Sequence, residues 1–116
     1  MEENLTVDPK DAQDNKVMGI LAYLGILVLV PILAAKESPF ARYHSNQGLI
    51  LLIVAAALAI VINILSRISL SLWLVFTLLG GILWLGVGVF AILGIINAVK
   101  GEMKELPLIG KYKILK

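Results

Sequence analysis

Residues 38–53 read SPFARYHSNQGLILLI, in which an arginine, a histidine, an asparagine and a glutamine stand directly against an apolar run. Ser38 followed by Pro39 has the form of a helix start: serine accepts from an exposed backbone N–H, and proline suits the first helical position. From Gly48 the run continues as GLILLIVAAALAIVINIL to Leu65, with Asn63 as its only polar side chain. Such a run approaches the roughly 20 residues needed to cross the hydrocarbon of a bilayer. One helix is therefore expected to begin before the membrane and then cross it, which makes the chain an all-α membrane protein.

Upstream, Val17–Ala35 (VMGILAYLGILVLVPILAA) carries no charge and is also long enough to span. Asp8-Pro9 offers this helix an early start, and Pro31 is expected to bend its last turn. Lys36, Glu37 and Ser38 then turn the chain as in a tight helical hairpin. Downstream, SRISLS at 66–71 is a short polar turn, and Leu72–Ala98 is apolar apart from Thr77 and Asn97. Dividing this run at Gly80-Gly81 would leave a first piece too short to cross, so one tilted helix is expected, with Trp73 at an interface.

The resulting fold has three transmembrane helices at about 17–35, 48–65 and 72–98, with four as the alternative. An acidic N-terminal tail (1–15) precedes the helical membrane domain (16–99), and a basic amphipathic tail (100–116) follows it.

Composition agrees: 59% of the 116 residues are hydrophobic and the mean hydropathy is +0.94, above the range of ordinary globular domains. The absence of cysteine excludes disulfides and thiol chemistry, and a net charge of +2 is too small to argue for nucleic acid. Five acids against Lys10 alone in residues 1–15 speak against a cleaved signal peptide. With three spans, Lys36, Arg42, Lys100, Lys104, Lys111, Lys113 and Lys116 share one side, opposite Lys10, Lys16 and Arg67. The positive-inside rule then gives a multi-pass protein of the cell (inner) membrane, its C-terminus cytoplasmic and its N-terminus external. Four spans would place both termini inside.

In the third span Gly80, Trp84, Val87, Ala91, Gly94, Ala98 and Gly101 recur along one helix stripe. Small residues let helices approach closely in lipid, and Gly94-x-x-x-Ala98 is the tightest part. Packing within the monomer is the favoured use of this stripe over self-association. Asn63 and Asn97, near span ends, are expected to meet interfacial water or headgroups.

At about 100° per residue, Phe40, Tyr43, His44 and Gln47 share one side of the second helix, while Arg42, Ser45 and Asn46 point the other way. The first face is expected to turn toward protein, the second toward headgroups or a partner. Catalysis would need a nucleophile or carboxylate facing His44, and a metal would need further ligands. Ser45 points away, Glu37 precedes the helix and there is no second histidine, so neither enzyme, metal site nor cofactor is expected. In the C-terminal KGEMKELPLIGKYKILK, Pro107 and Gly110 break helix, and lysines alternating with Tyr112, Ile114 and Leu115 suit an interfacial tail on anionic lipid.

Two patches, PFARYHSNQG at 39–48 and NAVKGE at 97–102 followed by LPLIG at 106–110, resemble the prokaryotic relatives of the small membrane subunit of the chloroplast inner-envelope protein import translocon. Tyr23-Leu24-Gly25 fits the same family. The resemblance implies a four-span protein that conducts or scaffolds. Taken with three spans, the function expected is a non-enzymatic scaffold or accessory subunit of a membrane complex, with protein translocation as its setting. The alternative is a homo-oligomeric channel or transporter subunit. Three spans also place Phe40, Arg42, Tyr43, His44 and Gln47 on the same face as Gly101, Glu102, Pro107 and Gly110. The tail is expected to dock there, with Glu102 near Arg42 or His44 and Leu106–Ile109 over Phe40 and Tyr43.

Overall fold

The computed structural model describes residues 7–115; residues 1–6 of the expected acidic tail and Lys116 of the basic tail lie outside it. Among the described residues all regular structure is helical: α1 (Pro9–Asp14), α2 (Lys16–Leu21), a 3-10 turn (Gly25–Val28), α3 (Leu29–Ala34), α4 (Pro39–Ser66) and α5 (Leu70–Val99).

α4 starts where Ser38-Pro39 places it, with the Ser38 hydroxyl accepting from the Ala41 N–H at 3.0 Å. A carboxylate from far upstream completes this cap. Asp11 accepts from the Ser38 hydroxyl at 2.6 Å and from the Phe40 N–H at 3.0 Å, and Asn15 donates to Asp11 in turn at 2.9 Å. An anion at this end of α4 also suits the positive end of the helix dipole. α5 begins likewise, with Ser69 accepting from the Leu72 N–H.

α4 and α5 pack together as a hairpin, and both are long and apolar enough to cross a membrane. Little of α5 is covered: Leu78, Ile82 and Leu85 are 74%, 65% and 72% exposed. An apolar surface of that extent suits lipid rather than water. Asn63 settles its amide on its own helix, donating to the Ala59 carbonyl at 2.8 Å.

The expected first span is not one helix. Residues 17–35 divide into α2, the 3-10 turn and α3, because Gly25 takes a left-handed conformation (φ +64°) that ends the run. Tyr23 and Leu24 already donate to carbonyls three residues back. Pro31, expected to bend a last turn, instead sits buried near the start of α3, where few N–H groups have an intrahelical partner to lose. The segment folds back on itself: Gly19 lies against Phe40 and Ala98, Ala22 against Gly48, Tyr23 against Gly94, and the chain returns to Ser38. The N- and C-terminal segments consequently share one end of the α4–α5 hairpin, and two helices long enough to cross a membrane stand where three were expected.

Glycines make this close fit possible. A Cβ at Gly48 would stand 1.7 Å from the Ala22 carbonyl oxygen, and one at Gly94 2.2 Å from the Tyr23 ring. The small residues of the α5 stripe face inward, Gly80 toward Ile62, Gly94 toward Tyr23, Ala98 toward Gly19 and Ala91 onto the cluster of Ala22, Tyr23, Val28, Leu51 and Leu106, whereas Trp84 of the same stripe is exposed.

Candidate functional site

Gly101 ends α5 in the left-handed conformation (φ +73°), donating to the Ala98 carbonyl at 3.0 Å while Glu102 donates to Asn97 at 2.8 Å. This pair of bonds is a Schellman motif, so the NAVKGE patch is a helix stop that reverses the chain. Residues 102–115 then run back across the first turns of α4 without helix or strand of their own. Their backbone groups need partners, because an unpaired one costs about 1–3 kcal/mol when buried.

Three side chains of α4 supply those partners. His44, fully buried, lies 2.8 Å through Nε2 from the Glu102 carbonyl oxygen. A carbonyl only accepts, so Nε2 carries the proton, and Nδ1 of the neutral ring accepts from the Tyr23 hydroxyl at 2.7 Å. Tyr23, Phe40 and Tyr43 meet the imidazole edgewise at centroid distances of 5.5, 4.7 and 5.5 Å. Gln47 accepts from the Leu106 N–H at 2.9 Å and donates to the Gly110 carbonyl at 2.8 Å, gripping both ends of the Leu-Pro-Leu-Ile-Gly loop. Asn46 donates to the Tyr112 carbonyl at 2.9 Å and accepts from the N–H groups of Ile114 and Leu115. Imidazole and amides thus do for the tail what a neighbouring strand does elsewhere.

The loop held by Gln47 is closed internally by the Gly110 N–H on the Leu106 carbonyl at 3.0 Å. Gly110 has no room for a side chain, since a Cβ would stand 2.5 Å from the Leu106 nitrogen. Leu106 is buried against Ala22, Tyr23, Val28 and Leu51, whereas Pro107 is exposed. The loop therefore packs on the folded-back segment rather than over Phe40 and Tyr43 as expected. Glu102 approaches His44 through its carbonyl; its carboxylate lies 3.5 Å from Lys104 Nζ. Arg42, half-buried, lines a cleft of about 180 Å³ with Lys113, Tyr43 and Met103.

The structure brings His44 and Gln47 together with Glu102 and Gly110, while Gly101 sets the reversal that makes this meeting possible. Sequence reasoning missed Asn46, Asp11, Tyr23 and Gly48. Asn46 was assigned to an outward face, but a tail wrapping around the helix reaches both faces; the adjacent Asn-Gln pair was the available signal. Both imidazole nitrogens are engaged, and among the described residues no group of three or more acidic, histidine or cysteine side chains is placed to hold a metal ion.

Residues 14–113 match the profile of the magnetosome magnetite crystal formation protein family. The chain is 33% identical over 95 residues to the magnetosome protein MmsF of Paramagnetospirillum magneticum strain AMB-1, covering 80% of this chain and 79% of that one. It is 30% identical over 99 residues to MamF of the same strain, covering 85% and 82% of the two chains. MamF of Magnetospirillum gryphiswaldense is 29% identical over 112 residues, 94% of each chain. No solved structure matches the chain. These matches overturn the translocon assignment: the stretch that contains the motifs at 39–48 and 97–110 matches the magnetosome family, and in this fold the motifs are a clamp and the tail it holds.

Proposed function

The chain belongs to the magnetosome magnetite crystal formation protein family, and from that premise we propose that it serves crystal formation as a non-enzymatic scaffold embedded in the membrane. The clamp is the observation that carries the scaffold reading: the polar groups of His44, Asn46 and Gln47 are engaged by the chain's own backbone and the Tyr23 hydroxyl rather than held ready for a reactant. In this reading α4 and α5 cross the bilayer, and residues 16–35 form a re-entrant segment. Backbone that is not helical is tolerated at membrane depth where protein buries it, and Ala22, Tyr23 and Val28 are buried against the hairpin.

Among the described residues Lys10, Lys16, Lys36, Arg42, Lys100, Lys104, Lys111 and Lys113 belong to segments at the clamped end, and Arg67 alone belongs to the other. The positive-inside rule puts the clamped end in the cytoplasm, where its lysines also favour anionic lipid. The opposite end offers the short Arg67–Ser69 connection, which holds no carboxylate. The chain would then act on the crystal through other membrane proteins gathered at its cytoplasmic face, rather than by binding mineral ions itself.

A fluorescent fusion expressed in Paramagnetospirillum magneticum lacking MmsF tests this. Localisation along the magnetosomes, with whatever change the loss of MmsF causes in the crystals reversed, is the expected outcome, and the variant with Asn46→Ala and Gln47→Ala should lose that reversal. A fusion spread evenly over the cell membrane, with crystals unchanged, would sink the proposal.

A further inference from the structure

Leu108 is the one non-glycine residue with positive φ (+68°) among the described residues. The Ile109 N–H reaches back to the Pro107 carbonyl at 2.7 Å, closing a three-residue γ-turn on Leu108. A γ-turn of this hand is rare and strained for a residue with a Cβ, and glycine would adopt it freely. The same leucine is 85% exposed, more than any other large apolar residue described. Its neighbours behave oppositely: Leu106 is buried, and Ile109 packs on the same cluster. The turn thus aims Leu108 away from the protein, beside the exposed Pro107, while Leu106 and Ile109 point in.

The height of this leucine is fixed by the clamp. Gln47 holds both ends of the loop, and Leu106 shares a buried cluster with Leu51, the fourth residue of the apolar run that begins at Gly48. Lys104 and Lys111 flank the loop, both exposed. We propose that Leu108 is a lipid anchor, inserted among the acyl chains at the edge of the bilayer while Lys104 and Lys111 reach anionic headgroups. The tail is then held between two surfaces, the α4 amides on one side and lipid on the other. The strained turn has a use that glycine could not fill, because glycine has no side chain to insert. The inference rests on α4 crossing the membrane, so its test includes a position that reads α4 separately.

The chain has no cysteine, so single nitroxide labels can be placed by Leu108→Cys, Lys111→Cys and Ile53→Cys in the full protein, reconstituted into phosphatidylcholine–phosphatidylglycerol liposomes. The label at 108 is expected to relax with oxygen, as the label at 53 does, and the label at 111 with a water-soluble nickel chelate. Access of the chelate to 108 equal to its access to 111 would overturn the anchor, and so would shielding of 108 from both reagents, which would put protein over it. Access of the chelate to 53 would instead remove the membrane reading of α4. In a second arm, Leu108→Gly relaxes the turn and leaves the clamp intact. Trypsin cleavage after Lys111 in liposomes should then speed up several-fold, and an unchanged rate counts against the anchor.

Discussion

Gly48 and Gln47 sit side by side on α4 and carry two different requirements, empty space and a planar pair of hydrogen-bonding groups. In Gly48→Ala the new methyl meets the Ala22 carbonyl, a backbone atom that moves only if the folded-back segment moves. A loss of about 1–3 kcal/mol is expected from such overpacking, measured by unfolding in detergent. Gly88→Ala is the control, with nothing within 4 Å of the added carbon, and should match the parent or gain up to about 1 kcal/mol from helix propensity. Gln47→Leu keeps the bulk but abandons the Leu106 N–H and the Gly110 carbonyl, each costing about 1–3 kcal/mol if left buried and unpaired. Its signature should be rapid trypsin cleavage in residues 104–113 while the hairpin stays folded; a tail as protected as the parent's would show that the amide is not what holds it. Gln47 was legible in the sequence because it lies on the helix face of His44. Asn46 was not, because a helical wheel has no knowledge of a strand-like tail that bends around it.

Among the elements, those whose boundaries are set by neighbouring residues could be read directly. Ser38-Pro39 before an apolar run starts α4, and the run expected at 72–98 forms a single helix, which begins two residues earlier, at Leu70, because Ser69 inside the expected polar turn caps it. The first apolar stretch could not be read that way. Its length permits one long helix, and what prevents one is Gly25 together with the fit of Ala22 and Tyr23 to glycines at 48 and 94, which lie far along the chain. Length tells whether a segment can form a spanning helix; packing partners decide whether it does. The cap of α4 shows the same dependence, since Asp11 reaches it from α1. Asp11→Ala removes the acceptor for the Ser38 hydroxyl and the Phe40 N–H, and should cost about 0.5–2 kcal/mol, in the range of lost helix caps. Thermal unfolding in detergent measures that loss, and an unchanged midpoint would mean that Ser38 caps the helix alone.

For the whole molecule, the clamp and the topology stand or fall together. The tail can lie across the start of α4 because α5 returns to that end, and α1 can cap the same helix because residues 16–35 enter and leave on one side. Three arrangements of this sequence can be told apart with cysteines introduced at Gln13, Ile68 and Lys111, each exposed, in a chain that has none of its own. Three spans would group 13 with 68 against 111. Four would bring all three to one side. The re-entrant hairpin groups 13 with 111 against 68, and the positive-inside rule makes 68 the position that a membrane-impermeant maleimide reaches in intact cells. Labelling of 68 alone before lysis, with 13 and 111 reacting only afterwards, is the expected pattern. Labelling of 13 together with 68 would restore the third span, and with it remove any route by which Asp11 could reach Ser38.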